Sequence, residues 1–338
     1  MKIKRSYCFD DVLLVPQRSN IASRKEIDLS SQLDDKNTFD LPIISSPMDT
    51  VTESTTAIAM NHAGGLGIIH RYNTIEDQSA LVRDVGEFSC DVGAAIGVSG
   101  DYFDRTANLV GAGARIICID IAHGHHTMMR HALKELRNTY GNAIHIMAGN
   151  VATLQGFNDL ADWGADSVRV GIGGGSICST RVQTGHGVPT LQSVLDCSKS
   201  DRDATIIADG GIRASGDIVK ALAAGADFVM LGSLLAGTDE SPGEEIYRSG
   251  GKYKVYRGMA SVEAQIQWRG HAASVEGVSS QVPLKGSVRG VLERLERGIR
   301  SGLSYTGART IRELQSFSEF IEQSSSGAVE SSTHINNS

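Results

Sequence analysis

Short apolar runs recur along the chain, and a segment of helical periodicity follows most of them. The runs are LPIISSPM (41–48), GLGIIH (65–70), GAAIGV (93–98), IICIDIA (116–122), HIMAGN (145–150), SVRVGI (167–172), TIIADGG (205–211) and FVMLGS (228–233). Nearly continuous apolar runs of this length predict strands buried on both faces, as in a parallel sheet. Between them, TTAIAMNHA, IEDQSALVRDV, TMMRHALKELRNTY, LQGFNDLADWGA and SGDIVKALAAGA have the spacing of amphipathic helices. Several of these end at Gly, a helix C-terminal signal. Eight strands alternating with helices predict a (β/α)8 barrel. A doubly wound open sheet is the rival. It would show fewer strands and a glycine fingerprint after the first, and no early Gly-x-Gly-x-x-Gly is present.

Two segments fall outside the repeat. Residues 1–40 precede the first strand and are predicted to cover the bottom or edge of the barrel. Residues 234–286 form a long connection after strand eight, and such a connection lies over the mouth of a barrel as a flap. The barrel domain is placed at 1–322. The remaining 323–338, rich in Ser and Asn, is predicted to be a disordered tail.

Composition narrows the partners. The 338 residues are 41% apolar and only 5% aromatic, with 38 Gly, which suits a parallel α/β core. The net charge of -7 comes without clustered Lys and Arg, so no nucleic-acid surface is expected. No apolar run reaches the roughly 18 residues of a membrane span, and the N-terminus lacks a signal-peptide core. Five widely spaced cysteines without a Cys-x-x-Cys pair predict free thiols in a reducing, cytoplasmic compartment.

Barrel enzymes carry their chemistry at the C-terminal ends of strands. Those ends hold Ser46, Met48 and Asp49 (strand one), Asp120 (four), Asn150 (five), Asp209-Gly210-Gly211 (seven) and Gly232-Ser233 (eight). Backbone N–H groups after strands seven and eight suit a phosphate, and Asp209 suits a ribose diol. Tight strand exits would explain the same glycines. After strand six, GIGGGSICSTR sets Cys178 among Gly173, Gly175, Ser176, Thr180 and Arg181. A thiol near a positive charge ionises more readily, and a thiolate can form a covalent intermediate. The other four cysteines read as structural. In AHGHH (His123, His125 and His126) the two adjacent histidines would point in different directions and no third ligand type is evident, which favours hydrogen bonding or solvation over a metal site.

The stretches FDDVLLVPQRS, ISSPMDTVTES, GGLGIIHR, MAGNVAT, GIGGGSICSTR, ADGGIRASGDIVKALAAGADFVMLGSLLAG and YRGMAS resemble the IMP dehydrogenase/GMP reductase family over about residues 5–320. Gly174, where the family usually has Pro, is a minor departure. The resemblance implies a (β/α)8 barrel, usually tetrameric, in which Cys178 attacks C2 of a purine nucleotide. It implies that Ser46, Met48, Ser176, Asp209, Gly210, Gly211, Gly232, Ser233, Gly258, Met259, Glu276 and Gly277 hold the nucleotide. Arg71, Asp120, Ile121, Ala122 and Met259 would meet a nicotinamide cofactor, with Ser23, Arg24, Tyr305 and Gly307 reaching its distal part. Gly173, Gly175, Cys178 and Arg181 would surround a monovalent cation such as potassium.

Family members share a covalent adduct at C2. The dehydrogenase forms it from IMP and NAD and hydrolyses it to XMP. The reductase forms it from GMP, releases ammonia and reduces it with NADPH to IMP. Hydrolysis needs an activated water, which dehydrogenases obtain from an Arg-Tyr or Arg-Phe pair on a long flap. Here 16 residues separate Met259 from Glu276, and the only arginine among them, Arg269, precedes Gly270. The inserted regulatory domain pair of most dehydrogenases is also missing, since VRDVGEFSCDVGAAIGV runs straight on. SSPMDTVTES, LAGTDESPGE and YRGMAS read more like the dehydrogenase side. Ala272 and Ala273 stand where many reductases carry Tyr-Arg. The missing water-activating pair favours a GMP reductase, with Cys178, Thr180 and Glu276 as its catalytic set. An IMP dehydrogenase without its regulatory domain, a silent purine-nucleotide sensor and a flavin-dependent barrel oxidoreductase stay open.

Overall fold

A computed structural model describes residues 3–248, 250–273 and 275–331. Eight parallel strands close into a barrel: β1 (Ile43–Ser45), β2 (Leu66–Ile69), β3 (Val92–Ile96), β4 (Ile116–Asp120), β5 (His145–Val151), β6 (Ser167–Val170), β7 (Thr205–Asp209) and β8 (Phe228–Leu231). All eight lie within or across the apolar runs of the sequence. β8 pairs back to β1 through Val229–Ile43, Met230–Ile44 and Leu231–Ser45, which completes the ring. Side chains alternate along each strand. Ile44, Leu66, Ile68, Ala95, Cys118, Met147, Ile207 and Met230 fill the lumen, while neighbours such as Ile43, Ile117 and Val168 pack in the main core.

The N-terminal segment covers the bottom, as expected. Strands Ser31–Gln32 and Thr38–Phe39 pair as a small hairpin. Leu33 and Phe39 enter the lumen cluster, with Phe39 edge-on to Phe228 at 6.2 Å. Asp34 accepts a hydrogen bond from His145 Nδ1 at 2.6 Å, while His145 Nε2 meets Ser167 Oγ at 2.7 Å. This is the bonding order of a hydrolytic triad, but His145 and Ser167 are buried at the strand starts, so the three rivet the hairpin to β5 and β6. Burial works against the Asp34 charge. The bond from His145 and N–H groups from Lys36 and Asn37 outweigh it and hold the carboxyl well below its usual range.

Asp227, just before β8, behaves oppositely. Burial pushes its carboxyl up to about 6, against the Ile206 N–H at 2.8 Å and Arg312. A carboxyl whose folded pKa is raised binds more protons folded than unfolded, so its stabilising contribution is present at low pH and lost as pH rises through 6. Asp227→Asn keeps the acceptor and removes the charge. It should raise unfolding stability at pH 8 by about 1–2 kcal/mol and change little at pH 4. Urea unfolding at both pH values checks this; an equal change at both would contradict it.

The flap is a three-stranded antiparallel sheet, β9 (Glu245–Arg248), β10 (Gly251–Arg257) and β11 (Ser279–Pro283), with a helix Val262–Arg269 between β10 and β11. Lys254 on β10 is buried, and its ammonium donates to the carbonyls of Thr238, Asp239 and Ser241 at 2.9, 3.1 and 2.7 Å. One charge thus fixes the turn that launches the flap. The expectation of a disordered tail from residue 323 needs correction. Residues Ser325–Glu330 form a helix because Ser324 caps it, accepting from Gly327 N–H, and strand Phe320–Glu322 pairs with Val12–Leu14 and so anchors the start of that helix. Residues 332–338 lie outside the described residues. No helix among the described residues is long and apolar enough to cross a membrane.

Candidate active site

The strand ends, the loop after β6 and the flap enclose a cleft of about 510 Å³. The β6 loop leaves the barrel at Gly171, whose φ is +146 and whose missing Cβ would lie 2.0 Å from the Asp209 carbonyl. Only glycine fits there. The Cys178 N–H donates to the Gly175 carbonyl at 3.1 Å, which closes the turn. Cys178 Sγ donates to Thr180 Oγ1 at 3.1 Å, and Thr180 Oγ1 donates to Glu276 Oε2 at 2.8 Å. A thiol, a hydroxyl and a carboxylate thus form one proton-conducting line.

Glu276 reaches this line because backbone bonds stitch flap to loop. Ser179 N–H donates to the Glu276 carbonyl at 3.0 Å and Val278 N–H to the Ile177 carbonyl at 3.1 Å, while within the flap Gly258 N–H donates to the Val278 carbonyl at 3.1 Å. Gly277 permits the approach, since a Cβ there would stand 2.7 Å from Ser261 N. Cys178 is exposed, whereas Cys118 and Cys197 are buried and their thiols are pushed up to about 12 by burial. Cys8 and Cys90 are half-buried and also raised by burial. Only Cys178 combines access with a proton acceptor line.

One side of the cleft is lined by Ser46, Met48, Ser176, Asp209, Gly210, Gly211, Gly232, Ser233, Gly258, Met259 and Gly277, so the sequence-predicted nucleotide set comes together. Tyr256 joins it. Burial pushes its hydroxyl up to about 12 despite a hydrogen bond with Ser176, so it stays protonated as a donor at neutral pH. Arg71, Asp120, Ile121 and Ala122 line the same cleft. Arg71 Nε is buried without a hydrogen-bond partner among the described residues, 3.7 Å from Asp120 Oδ2. Beside it Tyr72 stacks on Trp268 at 6.1 Å, with the guanidiniums of Arg71 and Arg269 over its ring at 5.5 and 5.8 Å. An orphaned donor beside an aromatic platform fits a planar, polar cofactor ring.

In the cleft lining lies Arg169, which sequence reasoning missed. Its Nε and Nη2 donate to Asp209 Oδ2 at 3.1 and 2.9 Å, and its Nη1 donates to Asp120 Oδ1 at 2.5 Å. Burial opposes its charge, but Asp209 and Asp120 hold it firmly protonated. Asn150 Nδ2 adds a third bond to Asp209 Oδ2 at 2.7 Å. Gly149 makes room for Arg169, since a Cβ there would lie 2.5 Å from Arg169 Cβ. The signal was present as a lone charge inside the apolar run SVRVGI.

Ser23, Arg24, Tyr305 and Gly307, expected at the distal part of the cofactor, are not among the described residues that line this cleft. Ser23 caps the turn Arg24–Glu26, and Tyr305 and Gly307 end the helix Val288–Thr306, whose far end packs on residues 17–28 near the strand starts. Of the loop residues assigned to a cation, the Arg181 guanidinium donates to the Val188 carbonyl, its own carbonyl accepts from Gly185 N–H, and its stem covers Gly173. The Gly175 carbonyl accepts from Cys178 N–H. The histidines of AHGHH have hydrogen-bonding duties. His125 Nε2 meets Asp159 Oδ2 at 2.7 Å, and His126 Nδ1 caps a helix by accepting from Met128 N–H.

Residues 6–334 match the family model described as the IMP dehydrogenase / GMP reductase domain. The chain belongs to the IMP dehydrogenase/GMP reductase family. It is 35% identical to an inosine-5'-monophosphate dehydrogenase of Nitrosopumilus maritimus, with 99% of each chain covered. It is 33% identical to a GMP reductase of Leishmania major, with 96% of each covered. Among solved structures, a cysteine-to-alanine variant of GMP reductase from Trypanosoma brucei in complex with guanosine 5'-monophosphate superposes with a TM-score of 0.94 at 30% identity, covering 98% of both chains. The family comprises oxidoreductases of purine metabolism that use NAD(P). Both alignments run over 472 residues against this chain's 338, so these family members carry long segments without a counterpart here.

Proposed function

We propose that the protein is a GMP reductase-type enzyme, which converts GMP or a close guanine nucleotide to IMP and ammonia. The observation that carries this reading is the Cys178–Thr180–Glu276 line, closed by a flap with no consecutive Arg-Tyr or Arg-Phe pair. The cleft can pass protons along this line but lacks the flap pair that would activate a hydrolytic water.

In this reading the phosphate sits on the N–H groups at Gly211, Gly232 and Ser233, with Tyr256 as a further donor. Asp209 Oδ2 is engaged by Arg169 and Asn150, and Oδ1 is the atom offered to the ribose diol. Thr180 passes the Cys178 proton to Glu276. The thiolate adds to C2, the C2–N bond breaks, and Glu276 returns the proton to the departing amine. This leaves Cys178 bound at C2 as a thioimidate. Asp120–Ala122 and Arg71 would hold NADPH, which would supply the hydride that reduces C2. The C–S bond then breaks and Cys178 leaves as thiolate. No step passes through a cation. A homotetramer in a reducing cytoplasm completes the reading.

One observation favours the dehydrogenase alternative. Arg269 and Tyr72, far apart in sequence, meet in the cleft as an Arg–Tyr pair. Absorbance at the nicotinamide band separates the readings. GMP with NADPH should lose absorbance steadily, while IMP with NAD should give no sustained gain. Sustained gain with IMP and NAD would make it a dehydrogenase, and silence in both with measurable nucleotide binding would make it a sensor.

A further inference from the structure

We infer that Arg169 is a positioning residue that couples the two ligand subsites through a shared guanidinium. The inference rests on the proposed function only in naming the ligands. Asp209 belongs to the residues assigned above to the nucleotide and Asp120 to those assigned to the cofactor, and both line the cleft. Arg169 itself is 6% exposed and fixed at its base by the close packing on Gly149. It grips Asp209 by two N–H groups and Asp120 by one, all on one rigid planar fork. A shift of either carboxylate therefore rotates the fork and moves the other. Asn150 shares the same Asp209 oxygen with Arg169, and Arg71 lies 3.7 Å from the other oxygen of Asp120 without a hydrogen bond to it. Neither contacts both carboxylates. The strand register sets the arrangement: Arg169 is opposite Ile207, two residues before Asp209, and opposite Gly149 on the other side. The guanidinium thus spans from strand seven to strand four across the barrel's top.

Independent carboxylates would each tune one ligand. Joined carboxylates should each tune both. Asp120→Asn keeps an acceptor for Arg169 Nη1 but removes the charge that holds the fork. It should weaken the cofactor and, through Arg169, the nucleotide as well. Arg169→Lys keeps the buried charge but replaces the planar fork with a single ammonium, which cannot grip both carboxylates in the same geometry. With that substitution, the effect of Asp120→Asn should no longer reach the nucleotide.

The test is a double-mutant cycle read by calorimetry on the full chain, in a Cys178→Ala background that prevents covalent chemistry. The probes are GMP and NADP⁺, each titrated alone. The expected result is that Asp120→Asn raises the GMP Kd about fivefold or more with Arg169 present, and less than twofold with Arg169→Lys. A GMP Kd unchanged by Asp120→Asn, or shifted equally in both backgrounds, overturns the coupling. Should Arg169→Lys fail to fold, the single Asp120→Asn measurement still decides, because an unmoved GMP Kd is sufficient to reject it. If GMP does not bind but IMP does, the proposed direction fails while the cycle is run with IMP and NAD⁺.

Discussion

Cys178→Ala should abolish turnover, by at least about 10⁴-fold in kcat, while GMP affinity stays within a few-fold of the parent. The reason is geometric. The thiol is exposed to the cleft at the tip of a loop and has one side-chain partner, Thr180. The nucleotide contacts proposed for Asp209, Ser233 and Tyr256 come from other elements and do not depend on it. Removing Sγ deletes the bond-forming atom and leaves the pocket nearly the same shape. The measurement pairs the nicotinamide absorbance assay with calorimetric GMP binding. Retained turnover would reject the covalent scheme. Lost binding would mean that the cysteine loop builds the nucleotide subsite, a structural role. The other cysteines serve as internal controls. Cys118→Ser and Cys197→Ser remove buried, inert thiols and should change stability rather than chemistry.

Most of the barrel was legible in the sequence because a strand buried on both faces needs an uninterrupted apolar run, and eight such runs are present. Their ends were legible for the same reason. A polar residue that terminates an apolar run, such as Asp120 or Asp209, has to face the mouth. Arg169 was not legible as part of the site because it sits inside a run, and its partners lie 49 and 40 residues away in the chain. Periodicity carries no information on which charge lies across a barrel from which. Tyr256 escaped for a related reason. Its strand belongs to the flap, and only closure of the flap over Gly232 brings the hydroxyl near, about 3.1 Å from where a Cβ of that glycine would stand. Ser23, Arg24, Tyr305 and Gly307 were expected from the resemblance alone, and no local pattern located them. The helix at Ser325–Glu330 was missed because a short segment of small polar residues has little propensity of its own. Its cap and the neighbouring strand pair supply what composition does not.

Glu276→Gln should slow ammonia release by about 10²–10³-fold and hydride transfer by much less. The two steps make different demands on this carboxylate. To expel the amine, the enzyme has to take a proton from the thiol and return it to nitrogen, and Thr180 stands between Cys178 and Glu276 to carry it. Gln accepts the Thr180 hydrogen bond through its carbonyl, so the line keeps its shape, but it cannot hold the proton. Hydride delivery to C2 moves no proton through Glu276. The two steps separate experimentally. Ammonia release is followed directly in a single turnover with GMP. Hydride transfer is followed separately, as the burst of NADPH oxidation when NADPH is added to enzyme that has already formed the adduct with GMP and released its ammonia. The variant should keep most of that burst rate while its deamination rate falls. Equal losses in both would place Glu276 in holding the loop through its backbone, where Ser179 N–H already donates to its carbonyl, and would leave the proton without a carrier. Thr180→Val provides the complementary reading. It breaks the line between thiol and carboxylate, so it should reproduce the Glu276→Gln pattern, and combining the two should add little, as expected when two residues serve one transfer.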